Sequence, residues 1–133
     1  MNVALWVAQV LLALAFGAVG FTKLRDDRLT YANARPPMTS FAEDLSDRLY
    51  KTLGVLEVAG AIGVILPRLL GIAPVLTPLA ALGFVGLIFG AIVLHLRRRE
   101  PQLIVINVVL MLLALFVLWG RGVEVFLGND AGA

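Results

Sequence analysis

Four apolar runs, residues 3–21, 52–66, 75–94 and 103–119, contain one charged side chain between them, Glu57. The remaining charged residues lie in the connections and near the ends. About 20 residues at ~1.5 Å per residue cross the ~30 Å hydrocarbon core of a bilayer. A backbone inside hydrocarbon must satisfy its own polar groups, and a helix does this within one segment. The chain is 60% hydrophobic and 15% charged, whereas a soluble domain has roughly 45–50% apolar and about 25% charged residues. The pattern predicts an all-α integral membrane four-helix bundle. It forms one transmembrane domain over residues 1–133, with helices at about 3–24, 49–66, 75–96 and 102–120 and a loop at about 25–48.

The first run is read as a retained helix rather than a signal peptide. It has no basic n-region, exceeds the 7–15-residue core of such peptides, and precedes three further spans. Residues 24–52 are the long polar segment, with Pro36-Pro37 near the middle. Ser40 and Glu43 fit a capping box, and Leu45, Leu49, Leu53 and Leu56 follow at helical spacing. An interfacial amphipathic helix is expected to start near Phe41 and run into the second span; an ordinary solvated loop helix is the plainer alternative. Pro67 is expected to kink the second span. The short connection from Pro67 to Pro74 makes spans two and three antiparallel neighbours. Pro101 opens the fourth span, and Arg121 and Glu124 end its apolar register.

Lys23, Arg25, Arg28, Arg35, Arg48 and Lys51 belong to the first loop and its flanks, and Arg97, Arg98 and Arg99 to the third. The opposite side carries Arg68 and Arg121. The positive-inside bias therefore predicts a multi-pass protein of the cell membrane, with loops 1 and 3 cytoplasmic and both termini outside. Trp6 and Trp119 then fall near the outer boundary, where interfacial aromatics belong. The net charge of +2 reflects these loops and does not point to nucleic acid.

Counting also excludes chemistry. The chain has no cysteine, which removes thiol catalysis, disulfide exchange and iron–sulfur ligation. A single histidine cannot supply bis-histidine haem ligation or a multi-histidine zinc site. Neither a metal nor a cofactor is called for, and no phosphate loop or Ser/His/Asp spacing is present.

The predicted topology brings Lys23, Glu57, His95 and Asn107, one from each helix, to a similar depth. A charge at mid-bilayer costs ~2.5–3.5 kcal/mol even on the lenient insertion scale, so Glu57 should face the bundle and have a partner. Lys23 is the natural counter-charge; Arg48 or Lys51 near the surface are the alternatives. The pair either fixes helix register or belongs to a polar site that binds a ligand or moves protons. His95 sits either among headgroups or beside Glu57 as a titratable partner. Asn107 is expected to make an interhelical hydrogen bond, worth roughly 0.6–2 kcal/mol. Gly17, Gly20, Gly60, Gly63, Gly86 and Gly90 are candidate helix-packing positions, within the bundle or between protomers of a homo-oligomer.

Three blocks carry a family resemblance. They are Phe16-Gly17-Ala18-Val19-Gly20-Phe21-Thr22-Lys23-Leu24, the stretch from Gly54 to Pro67 around Glu57, and Gly90-Ala91-Ile92-Val93-Leu94-His95-Leu96-Arg97. Together they resemble the DoxX-like family of small four-helix membrane proteins, over about Val3 to Leu118. The resemblance places the family's lysine, glutamate and histidine at Lys23, Glu57 and His95. It implies an accessory or subunit of a membrane redox or assembly complex; relatives include the small subunit of a thiosulfate–quinone oxidoreductase. Expected partners are the lipid bilayer and another membrane or redox protein, docked on loop 1 and the Arg97–Arg99 cluster. The alternative is a membrane enzyme or carrier for a small lipophilic molecule such as a quinone, held at Lys23, Glu57 and His95. Quinone chemistry needs proton donors beside an apolar pocket, and a carboxyl–imidazole pair offers them.

Overall fold

The computed structural model describes residues 1–128 and is helical throughout its regular elements. Four long helices, α1 (Asn2–Arg25), α3 (Asp47–Leu70), α4 (Leu76–Arg97) and α5 (Pro101–Phe126), are long and apolar enough to cross a membrane. A short helix, α2 (Arg28–Ala34), and a 3-10 turn (Ser40–Asp44) lie between α1 and α3. Each long helix packs on the next, and α5 returns to α1, so the four close into a ring.

Local chemistry sets the boundaries. The Asp27 carboxylate accepts from the Thr30 N–H at 2.8 Å and caps α2. Ser46 Oγ accepts from the Leu49 N–H at 3.1 Å and caps α3. Gly71, at φ +68°, ends α3 in the left-handed conformation that glycine adopts without steric cost. Pro101 occupies the first turn of α5, where a missing N–H has no consequence.

The core runs along the ring axis, from Leu5, Ala8 and Leu12 through Val64, Ala81, Phe84 and Ile88 to Ala114 and Val117. Phe16 and Phe84 stack at 4.3 Å between centroids. Gly60 makes room for that stack: a Cβ there would lie 2.6 Å from the Phe84 ring. The outer surface is as apolar as the core, with Leu14, Phe21, Leu112 and Trp119 all more than half exposed. That surface suits acyl chains rather than water.

The first loop departs from expectation. No α-helix starts near Phe41; the backbone makes a 3-10 turn, becomes extended at Leu45, and begins α3 only after Ser46. Ser46 therefore caps the helix, and the Ser40–Glu43 capping box does not form. Tyr31, Ala32, Ala42 and Tyr50 instead gather into a small apolar cluster of their own. The second correction concerns α5, which continues to Phe126. Arg121 and Glu124 thus lie within the helix and turn inward, where ion pairing replaces hydration. The α3 helix runs through Pro67 to Leu70.

Candidate functional site

Lys23 is in the last turn of α1 and Glu57 near the middle of α3, and both are at least 95% buried. Nζ of Lys23 donates to Oε1 of Glu57 at 2.6 Å. The pair can form because α1 and α3 almost touch. A Cβ on Gly20 would lie 2.9 Å from both the Glu57 Cβ and the Gly54 carbonyl oxygen. Lys51, an alternative partner for Glu57, is engaged elsewhere. Its ammonium donates to the carbonyls of Lys23, Leu24 and Asp26 at 2.7, 3.2 and 2.8 Å. A cation there satisfies the open end of α1 and complements its dipole. Arg48 is exposed.

The first loop supplies a roof. Lys23 Nζ is 5.8 Å from the centre of the Tyr31 ring and 5.5 Å from that of Phe41. Burial, with the nearby Glu57 charge, pushes the Tyr31 phenol well above its ordinary pKa, so the hydroxyl stays protonated. On its other side Phe41 meets the edge of His95 at 5.3 Å between centroids. One aromatic ring therefore touches both the lysine and the histidine.

His95 is buried and does not bond to Glu57. Its Nδ1 lies 3.0 Å from Oε1 of Glu100, which also accepts from Arg98 Nε at 3.2 Å. Arg98 in turn donates from Nη1 to Asp44 Oδ2 at 2.6 Å, fastening the α4–α5 corner to the first loop. Asn107 makes no interhelical bond. Its amide donates to the Leu103 carbonyl one turn back in α5 at 2.8 Å, the acceptor its own helix offers.

Lys23, Glu57, His95 and Asn107 border one cavity of about 710 Å³. Phe16, Val19, Ile88, Leu94, Ile106 and Leu110 give it apolar walls; Lys23, Glu57, His95, Asn107, Tyr31 and Thr39 are among its polar groups, and Thr22, Arg25, Asp26 and Arg35 line it too. Gly86 and Gly90 are on its wall, and a Cβ on either would meet nothing within 4 Å. They enlarge the cavity rather than bring helices together within the chain. Gly17, Gly20, Gly60 and Gly63 do sit at contacts, facing Ala61, Glu57, Phe84 and Ala80 respectively. Among the described residues no group of three or more His, Cys, Asp or Glu side chains is placed to hold a metal ion.

Two features escaped the sequence reading. Glu100 backs His95, and its only signal was a carboxylate five positions after the single histidine. The other is a second buried polar group at the far end of the ring. Gln9 and Arg121 are both fully buried there, and Arg121 also bonds Asn2 and Glu124. A scan for charge alone passes over Gln9.

Residues 7–117 match the family model described as the DoxX-like family, and the chain belongs to that family. No curated protein and no solved structure matches it.

Proposed function

We propose that this membrane protein binds a small lipophilic molecule with a polar head, of which a quinone is the type, in the cavity beside Lys23 and Glu57. One observation carries the reading: an ion pair almost removed from solvent borders a 710 Å³ cavity with apolar walls. Ligand sites typically have ~300–1,000 Å³ and a few convergent polar groups in an apolar wall. A buried ion pair is a poor device for stability alone, because desolvation offsets its attraction and apolar side chains of similar volume serve as well. Lys23 can donate to a head-group carbonyl while its charge stays balanced by Glu57. With loops 1 and 3 cytoplasmic, the polar end of the cavity lies toward the cytoplasm.

The test is binding of a decyl-tailed benzoquinone to the purified protein in nanodiscs, by calorimetry or native mass spectrometry. Glu57→Gln and Lys23→Met should each weaken binding at least about tenfold, the worth of one charged hydrogen bond. Unchanged affinity in both variants, with helical content retained, would remove the reading.

A second reading, an accessory that docks a redox or membrane protein, is favoured by Arg97 and Arg99. Both are exposed, and neither has an ion-pair partner among the described residues. Co-purification from native membranes in mild detergent tests it. A partner lost in the Arg97→Ser/Arg99→Ser variant supports docking there, and a chain that emerges alone counts against it.

A further inference from the structure

Glu100 does not border the cavity, yet it sits directly behind a residue that does. It is the N-cap residue of α5, and its backbone N–H bonds the His95 carbonyl at 3.0 Å, which holds the two residues together. Oε1 of Glu100 accepts from Arg98 Nε at 3.2 Å and lies 3.0 Å from His95 Nδ1. An ionised carboxylate only accepts, so the hydrogen of the second contact belongs to Nδ1. A neutral ring protonated at Nδ1 has its lone pair on Nε2. Among the described residues Nε2 has no hydrogen-bond partner, and the ring borders the cavity. The acceptor side of the ring is thus the side left for a ligand. Carboxylates set behind imidazoles commonly fix tautomer and orientation in this way.

We propose that Glu100 is a positioning residue that holds His95 as the Nδ1–H tautomer, so that the site selects a lipophilic molecule whose head bears a hydroxyl, a phenol or hydroquinone, donating to His95 Nε2. The inference rests on the cavity-binding reading above and names its ligand class. Lys23 serves an acceptor on such a head, and His95 serves a donor. The two flank the same Phe41 ring, Nζ at 5.5 Å and the imidazole at 5.3 Å from its centre. A plain carbonyl or ether leaves Nε2 without a hydrogen bond. The lysine charge is matched by Glu57 at 2.6 Å and the arginine behind the histidine by Glu100 and Asp44, so neither of these two cations calls for an anionic head. The titratable groups around His95 are then Lys23, Glu57 and Tyr31, with Arg25, Asp26 and Arg35, on the cavity wall, and Glu100 and Arg98 behind the ring.

His95 is the only histidine, so labelling the full chain with ¹⁵N-histidine gives the signals of one imidazole. In nanodiscs, at a pH where titration of the same signals shows a neutral ring, Nδ1 should be protonated and Nε2 bare. Glu100→Ala should shift the ring toward the Nε2–H tautomer, and Arg97→Gln, a charge change of equal size and opposite sign at the same corner, should not. If Glu100→Ala fails to fold, Glu100→Gln replaces it, since an amide can donate as well as accept and should mix the tautomers. A wild-type ring protonated at Nε2, or a tautomer indifferent to the Glu100 variants, overturns the inference without touching the cavity reading. The selection is tested with a decyl-tailed hydroquinone and its dimethyl ether. The hydroquinone should bind roughly tenfold more tightly, the worth of one hydrogen bond, and Glu100→Ala should erase most of that preference. Equal binding of the two probes overturns the selection and leaves the cavity reading standing. Binding of neither overturns both, an outcome distinct from the tautomer result because that is read without ligand.

Discussion

The side chains of Gln9 and Arg121, 112 residues apart in sequence, meet at 2.7 Å inside the bundle. The glutamine amide also donates to the Val64 carbonyl at 2.7 Å, so one uncharged side chain joins α1, α3 and α5. Arg121 extends the group to Asn2 at 2.9 Å and Glu124 at 2.6 Å, and Glu124 reaches Arg68 at 3.3 Å.

Gln9→Leu keeps the volume and the apolar character of the run while removing both bonds. It leaves the Val64 carbonyl and one guanidinium N–H without those partners. The expected cost is ~1–3 kcal/mol, read as lower thermal stability in nanodiscs. Ligand affinity should hold, because the cavity is at the other end of the ring. A stability equal to wild type would show that the group contributes nothing measurable.

Removing either member of the Lys23–Glu57 pair strands a charge among apolar side chains. Lys23→Met and Glu57→Met should each destabilise by ~3–5 kcal/mol, and the double variant by much less than their sum. A double-mutant cycle in chemical denaturation measures this. Additive losses would mean that the two side chains act independently.

Gly20→Ala puts a Cβ 2.9 Å from the Gly54 carbonyl oxygen and from the Glu57 Cβ, neither of which is the far end of a flexible side chain. The helices must separate, at ~1–3 kcal/mol for an overpacked contact. Gly86→Ala meets nothing within 4 Å and should leave stability unchanged or slightly raised. Melting curves of the two variants should separate cleanly, and similar values would argue that the close approach of α1 and α3 is not fixed.

The raised pKa of the Tyr31 phenol, caused first by burial and then by Glu57, makes stability depend on alkaline pH. The folded chain keeps the proton after the unfolded chain has lost it. The contribution is complete below the ordinary tyrosine pKa and declines as pH rises above it. Unfolding measured across that range should show the decline, and Tyr31→Phe should reduce it, leaving the share of the buried Tyr50 phenol. An identical profile in the variant would exclude this phenol as the source.

With no native cysteine, single cysteines report orientation without background. Glu43→Cys in the first loop should be protected from a membrane-impermeant maleimide in intact cells, and Ile72→Cys in the α3–α4 connection should react. The reverse pattern would contradict the orientation drawn from the basic loops.

The spans were legible because hydrocarbon forbids what a soluble core tolerates: Glu57, the one charge in its apolar run, had to find a partner, and Lys23 on the adjoining helix was its natural counter-charge. His95 beside Phe41 was not legible, since the first loop folds through a 3-10 turn whose contacts are tertiary. Periodicity through Leu45 and Leu49 suggested one continuous helix, yet the backbone breaks at Leu45, and Ser46 offers the better cap. Arg121 was misplaced for a related reason. A charge ends an apolar run on paper, but Gln9, Asn2 and Glu124 let the helix carry it inward. Asn107 shows the converse, a polar side chain content with its own preceding turn.

The clasp of Gln9 and Arg121 ties α1 to α5 at the end of the ring away from Lys23. Stitched at that rim, the four helices keep their hollow at the other, where all of them contribute to its wall. On the proposed function, a lipophilic guest would then approach from the leaflet around Lys23, with its head beneath Tyr31 and Phe41.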